Sequence, residues 1–532
     1  MVANTAPPVI LGAGPRAEAS DRPGGGFLRV TFSPDGDGRR DRVRIVVSAT
    51  PRDRLVLEVH PESNMIGFRT KPQRVRSAVK TLTWDGLDTD GLPRAAGSYL
   101  IRVCSAISGR CSETQVMAHL RILSVFAPEF EAVSPGEWIS AVIATDRVGP
   151  YRLDLAPAVN PHAPGAGARE VTFPGRVPFQ IPPVGGGLWL LRLRSGSTTT
   201  YFPLVVHESK LPLDRPPRGT ALAVHPYITW RAYDRSDSNR DGEIDSWYSH
   251  PFTPVVPLTG AFERVRREPV LAGREASPGA EQAFARWMQK HELRAQYVTD
   301  IELGRMPLGV LQRYAAIVFP GHTEYYERTT YDRLLSYRNH GGHLYFLQGN
   351  SFYGEVSVGR TQIVRLSYRY RTRTRSDFRI AVTGFRSCCW PPSIRPRYRL
   401  AGGVRERLPW LFQGTDLKAG DRFGLALREV DTVDARLSPP GTLAVASAIV
   451  PRFSTPARAH AYRWVGTRRI AYEPAAIRDR RIDIAYCATG RGEVFSWGNS
   501  GFMQSLNLDS LPAGERADLD RVALNVWRRF TR

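Results

Sequence analysis

The chain has 532 residues, 42% apolar and 23% charged, which is the balance of a globular protein. At roughly 150 residues per domain it holds about three or four domains. Its formal net charge of +22 rests on arginine, since only five lysines occur, and suits an anionic neighbour such as a cell envelope or an acidic polymer. No apolar run approaches the roughly 18 residues of a membrane span. Helix-turn-helix, RNP and zinc-finger signatures are missing, which excludes the common nucleic-acid readers. So are a GxSxG elbow, a Walker loop, HExxH and CxxC, which removes the usual serine, nucleotide and zinc chemistries.

The opening Met1-Val2-Ala3-Asn4-Thr5-Ala6 carries neither a basic nor an apolar leader region, which taken literally means cytoplasm. The same small residues also look like the stretch just after a signal cleavage site. Extracellular or cell-envelope placement is the leading expectation, with cytoplasm second. Alternating apolar residues at Leu28, Val30, Phe32, then Val43, Ile45, Val47, then Leu55, Leu57, Val59 predict a β-sandwich over 1–123. Cys104 and Cys111 flank a Ser108-Gly109 turn and are placed to bridge a hairpin in an oxidising compartment. The run from Phe32 to Asp41 resembles the opening of surface-protein Ig-like domains. Trp84-Asp85-Gly86 with Gly97-Ser98-Tyr99 is similar to the flagellar hook-capping type of Ig-like domain. Asp35, Asp37 and Asp41 read as an Asx-rich turn or a calcium loop.

A second, smaller β-sandwich is predicted over 124–208, with late strands at Gly185–Leu193 and Tyr201–Val206. A proline-rich linker, Leu211–Arg218, then precedes a change of pattern. Ala221–Val224 reads as a strand, Ala283, Phe284, Trp287 and Met288 as one face of a helix, and Tyr297-Val298 as the next strand. Ala315–Phe319 is a buried strand that stops at Pro320-Gly321, followed by His322 and Glu324. A helix over Tyr331–Arg338 ends at Gly341-Gly342, and Leu344–Leu347 forms another strand, ending in Gln348-Gly349-Asn350. Strand–helix alternation implies a mainly parallel sheet, and such sheets bind ligands at the carboxyl ends of their strands.

Residues from about 355 to 480 are rich in arginine and β-pattern, either an insertion or an extension of the sheet. Arg369, Arg371, Arg373 and Arg375 fall on one strand face, which reads as a charged edge or an anion-binding stripe. Asp237-Ser238-Asn239-Arg240-Asp241-Gly242 with Asp245 has oxygen donors at calcium-loop spacing. Tyr248 stands where the closing Glu of an EF-hand would be, so a different calcium loop or a plain acidic turn is expected. The chain ends with a strand, Glu493–Trp497, and a helix over Glu515–Arg529.

Residues 219–530 resemble the large (beta) subunit of N,N-dimethylformamidase, and above all its C-terminal domain. Thr229-Trp230-Arg231-Ala232-Tyr233-Asp234, Tyr297–Asp300 and Gly321–Tyr326 carry the resemblance, with Gly341–Leu344, Gly349-Asn350, Gly492–Gly498, Ser505-Leu506 and Asn525-Val526. It implies a multidomain protein: two Ig-like β-sandwiches over 1–123 and 124–208, then an α/β glutamine-amidotransferase-like domain over 209–532 with a β-rich insertion. It also implies an amide C–N hydrolase with one Fe(III) held by two tyrosines and a glutamate, beside a histidine. Matched by position, Glu324 and Tyr233 are metal ligands and His322 is the neighbouring histidine. Val270 stands where the second tyrosine is expected, and Tyr248 is the substitute nearest in sequence. Hard oxygen donors of this kind suit Fe(III). The implied partner is a small amide substrate. A non-catalytic surface protein with calcium-stabilised Ig-like domains and an envelope ligand is the alternative, and a homo-oligomer is open in both.

Overall fold

The computed structural model describes residues 8–14, 31–32, 42–60, 68–86, 97–118, 123–127, 130–145, 149–196, 198–234, 246–247, 255–260, 262, 279–367, 386–389, 396–426, 430–434, 438–450, 461–465, 468–472, 480–489, 491–506 and 511–532.

The first part of the chain places the strands Val43–Ser48 and Arg54–His60 in two different sheets that share one apolar core. Val43, Ile45 and Val47 point into it from one sheet, and Leu55, Leu57, Tyr99 and Ile101 from the other. In Val43–Ser48 they alternate with less buried residues, the two-residue period of a half-buried strand, whereas Leu55–His60 is buried throughout. Cys104 and Cys111 lie opposite each other where Gly97–Ser105 pairs with Cys111–Ala118, and a disulfide joins them. Gly109 closes the hairpin in the left-handed region, at φ 68°.

Two further sheets follow, one of three strands and one of four, between Leu123 and Val206. Their shared core is continuous with that of the C-terminal part. At the side of the four-stranded sheet, the fully buried Asp154 takes two hydrogen bonds from Arg192, at 2.7 and 2.9 Å, and one from Arg194 at 2.6 Å. Arg192 spends its other nitrogen on the carbonyls of Pro161 and Ala163. The charge is thus surrounded on all sides, as a buried ion must be.

The C-terminal part is built on a nine-stranded sheet. Ala295–Thr299, Ala221–His225, Ala316–Phe319, His343–Phe346 and Gly492–Ser496 run parallel side by side. The Arg480–Thr489, Leu443–Val450, Arg397–Leu400 and Arg422–Leu425 strands continue it antiparallel. The β-rich stretch anticipated at about 355–480 gives this sheet three strands, while its other described strands, such as Gly354–Val358 and Gln362–Ser367, belong to separate sheets. Parallel strands buried on both faces must be apolar throughout. Leu222, Val224, Ile317, Phe319, Leu344 and Phe346 pack on one side with Leu334 and Tyr337 of the helix Arg328–Asn339. Ala221, Ala223, Ala316, Val318 and Tyr345 pack on the other with the helices Gly279–Lys290 and Ala513–Phe530.

Replacing Asp154 with Ala should lower the unfolding free energy by about 3–5 kcal/mol, since it strands two guanidinium groups, one of them buried. Denaturant melts of the two proteins measure the difference. Equal midpoints would show that the cluster contributes little.

Candidate functional site

The first parallel strand, Ala221–His225, leads through Pro226 into the helix Tyr227–Tyr233. Asp300, at the end of the neighbouring strand, accepts the Ile228 N–H with both carboxylate oxygens, at 3.2 and 3.3 Å. Burial pushes the Asp300 carboxyl well above its usual range, against hydrogen bonds from Ile228 and other backbone N–H groups. Arg231 fixes the helix from another side, donating to the Tyr227 hydroxyl at 3.0 Å and the Gly260 carbonyl at 2.6 Å. Its guanidinium lies 3.7 Å from the Phe262 ring centre, a cation–π contact.

This helix meets the next strand end through a side chain. The fully buried Thr229 accepts the backbone N–H groups of Glu324, at 3.0 Å, and Tyr325, at 3.3 Å. Tyr233 lies one turn beyond Thr229 on the same helix face. Its ring centre is 6.0 Å from that of His322, edge to face, and 6.5 Å from Tyr325. His322 Nε2 stands 3.4 Å from Glu324 Oε2. Tyr233, His322 and Glu324 are 9%, 5% and 3% exposed. Among the described residues, Glu324 Oε2 has no hydrogen-bond partner. A buried carboxylate oxygen without a donor is costly, so such a group points to water, an ion or a ligand.

The third strand end supports the junction from below. Gln348 accepts the Thr323 N–H, and the N–H groups of Phe352 and Tyr353 bond the carbonyls of Thr323 and Glu324 at 2.8 and 2.6 Å. Asn350 and Phe352 take the left-handed region, at φ 54° and 58°. The Asn350 N–H donates to Asp431 at 2.9 Å, which ties this loop to the strand Val430–Thr432.

Of the residues singled out from the sequence, Tyr233, His322 and Glu324 come together. Asp237, Asn239, Asp241, Asp245, Tyr248 and Val270 lie outside the described residues, as do Asp35, Asp37, Asp41 and the Arg369–Arg375 stripe. Among the described residues, no group of three or more His, Cys, Asp and Glu is arranged to hold a metal. A site built on tyrosine and one glutamate is not of that kind.

Sequence reasoning missed two buried groups. Glu281, in the first turn of Gly279–Lys290, is 1% exposed and accepts the Trp230 indole N–H at 3.3 Å. Burial pushes its carboxyl up to about 8, against its own backbone N–H, the Trp230 N–H and the charge of His322. The signal was legible: Glu281 falls in phase with Phe284 and Met288 on the apolar helix face, where a carboxylate has no structural reason to be. His225 ends its strand beside the rings of Trp230 and Tyr297, at 6.1 and 6.0 Å, and burial lowers it to about 3.

The chain belongs to the family described as N,N-dimethylformamidase beta subunit-like, C-terminal, which matches residues 148–516. No curated protein matches it. Solved structures with partial similarity include the BSP domain of a biofilm associated protein, at 10% identity and TM-score 0.14, covering 34% of this chain and 29% of that one. Another holds the N-terminal four Ig domains of Dscam1 isoform 4.4, at 12% identity and TM-score 0.14, covering 38% and 46%. A third is the Bacteroides ovatus mixed-linkage glucan utilization locus SGBP-B, at 14% identity and TM-score 0.17, covering 41% and 51%. The chain thus spans less than two thirds of each of these three structures.

Thr229→Val keeps the shape but strands two buried N–H groups, and should cost about 1–3 kcal/mol of stability. Thr229→Ser should restore most of it in the same denaturant melts. His225 titrates at 6.5 unfolded but at about 3 folded. Its contribution is therefore complete above pH 6.5 and is lost as the pH falls toward 3. On acidification from pH 7 to 4, the melting temperature of His225→Leu should fall less than that of the wild type.

Proposed function

We propose that the chain is an amide C–N bond hydrolase-like protein whose site is the junction of Tyr233, His322 and Glu324. The carrying observation is a buried Glu324 oxygen without a hydrogen-bond donor among the described residues, beside a histidine and a tyrosine. Family membership supports a hydrolase-like role. We read the sheet as the glutamine-amidotransferase-like α/β fold, the N-terminal sheets as Ig-like, and the chain as secreted or envelope-bound. The Cys104–Cys111 disulfide supports the last of these, because such bonds persist in oxidising compartments.

The donor set fits Fe(III): a phenol and a carboxylate are hard oxygen donors, and the open Glu324 oxygen has capacity for a cation. Tyr233 and Glu324 would hold it, with a third donor such as Tyr248. Bound there, iron would supply Lewis acidity toward the amide carbonyl. The Glu324 backbone, held by Thr229, keeps the carboxylate in place. His322, within reach of Glu324, is placed to carry a proton between water and the departing amine. Aromatic walls from Tyr233, Tyr325 and Trp247 keep bulk water from the junction. Calcium in the Asp237–Asp245 loop is a separate structural expectation.

Purified protein should contain iron near one equivalent and show a tyrosinate-to-iron absorption band that Tyr233→Phe and Glu324→Ala remove. It should release amine from a small amide, with N,N-dimethylformamide as the first probe. His322→Ala should lower turnover by about 10²–10⁴-fold. A colourless protein that carries only calcium and releases no amine would favour the non-catalytic surface protein instead.

A further inference from the structure

The buried carboxyl of Glu281 is not part of the site as described above, yet it touches it. Its helix and the His322 loop meet at Gly321. A Cβ on Gly321 would lie 1.6 Å from Glu281 Oε1 and 2.3 Å from its carboxyl carbon, so only glycine lets the carboxyl rest against this loop. Oε1 accepts the Trp230 indole N–H, whereas Oε2 has no hydrogen-bond partner among the described residues. An N–H donor on Oε1 marks that oxygen as the acceptor. The proton of a neutral carboxylic acid then belongs on Oε2. Trp230 lies on the helix that carries Tyr233, and His322 follows Gly321 directly. The free oxygen is therefore held between the elements that bear the site.

We propose that Glu281 is a ligand-binding group of this site: a neutral carboxylic acid whose Oε2–H donates a hydrogen bond to the carbonyl oxygen of a bound amide. This rests on the amide-hydrolase reading and adds the group that would meet the oxygen. Burial raises the carboxyl to about 8, in keeping with a neutral acid near pH 7, with His322 the titratable neighbour whose charge opposes the shift. A buried acid kept neutral in order to donate is an established way to stabilise a developing oxyanion. Gly321 and Trp230 have matching tasks, one admitting the carboxyl and the other fixing which oxygen carries the proton.

The test compares Glu281→Gln with Glu281→Ala in the full chain, using N,N-dimethylformamide as the probe and saturation-transfer NMR for its Kd at pH 7. Glutamine keeps a carbonyl oxygen for Trp230 and an N–H donor for the ligand. Its Kd should stay within about threefold of the wild type, while alanine should weaken binding about tenfold. Glu281→Met, of similar length but without a donor, replaces the alanine variant if circular dichroism shows that one unfolded. An equal loss in the Gln variant would mean that Glu281 acts as an anion, and would overturn the proposal. So would a Kd unchanged in the alanine variant, or no binding by the wild type. Amine release measured alongside separates the two readings. Binding with the expected Glu281 dependence but no turnover sinks the hydrolase and leaves this site standing. Turnover with a Kd indifferent to Glu281 does the reverse.

Discussion

One hydroxyl holds the candidate site together. Thr229 accepts the N–H groups of Glu324 and Tyr325, and so joins the helix that presents Tyr233 to the strand end that presents His322 and Glu324. Without it, two buried donors lose their acceptor. The bond also settles orientation. With its N–H pinned to Thr229 and its carbonyl to Tyr353 and Gly354, the Glu324 backbone leaves the side chain few directions in which to point. Preorganisation of this kind is what a binding or catalytic carboxylate needs.

The sheet explains why the polar groups gather here. Phe319, Phe346 and Ser496 lie level at the carboxyl ends of adjacent parallel strands. Beyond them the chain must turn while still buried, so its backbone polar groups need local partners. Gln348 and Asp431 supply two of these, accepting the Thr323 and Asn350 N–H groups. Buried side-chain atoms that find no hydrogen-bond partner among the described residues recur at the same edge, on His225, Glu281, Glu324, Gln348, Asn499 and Ser500. Elsewhere in a folded protein such atoms are few, because each costs on the order of 1–3 kcal/mol. Such atoms also occur away from this edge, on Asp53, His60, Thr114 and Thr200, and the group beside Glu324 is the one the proposed function draws on.

The periodicity of the strands was easy to read, and so was the parallel core, because strands buried on both faces leave apolar runs with abrupt polar ends. His322 and Glu324 were visible for that reason. Tyr233 emerged only through family resemblance, since an aromatic on a short helix looks like any core residue. The sheet extension was harder. Arg397–Leu400 and Arg422–Leu425 are four residues each, arginine-rich, and joined to the sheet through pairings distant in sequence. Nothing local distinguishes them from an inserted hairpin. The segments around the second pair of sheets also hold the edge of the large sheet. His207 meets Glu302 at 2.9 Å, Glu208 N–H donates to Gln296 at 2.7 Å, and Ala132 N–H donates to Glu302 at 3.2 Å. That the family match begins at residue 148, inside these sheets, agrees with a unit larger than the α/β part.

Glu281 shows where sequence reading and physical reading part. On a helical wheel it is a charge among Phe284, Trp287 and Met288, and propensity alone accepts a glutamate in the first turn as a favourable partner for the helix dipole. Burial changes the question. Among the described residues no cationic side chain is bonded to this carboxyl, and at 1% exposure it would stay ionised only at a large desolvation cost, so neutrality is the cheaper state. Neutrality turns an acceptor into a donor, and a donor without an acceptor is again unsatisfied. A bare α-carbon at Gly321 then becomes intelligible: any larger residue would push the carboxyl away and relieve the problem. A carboxyl kept there, with Oε2 unpartnered among the described residues, is what the proposed ligand contact requires.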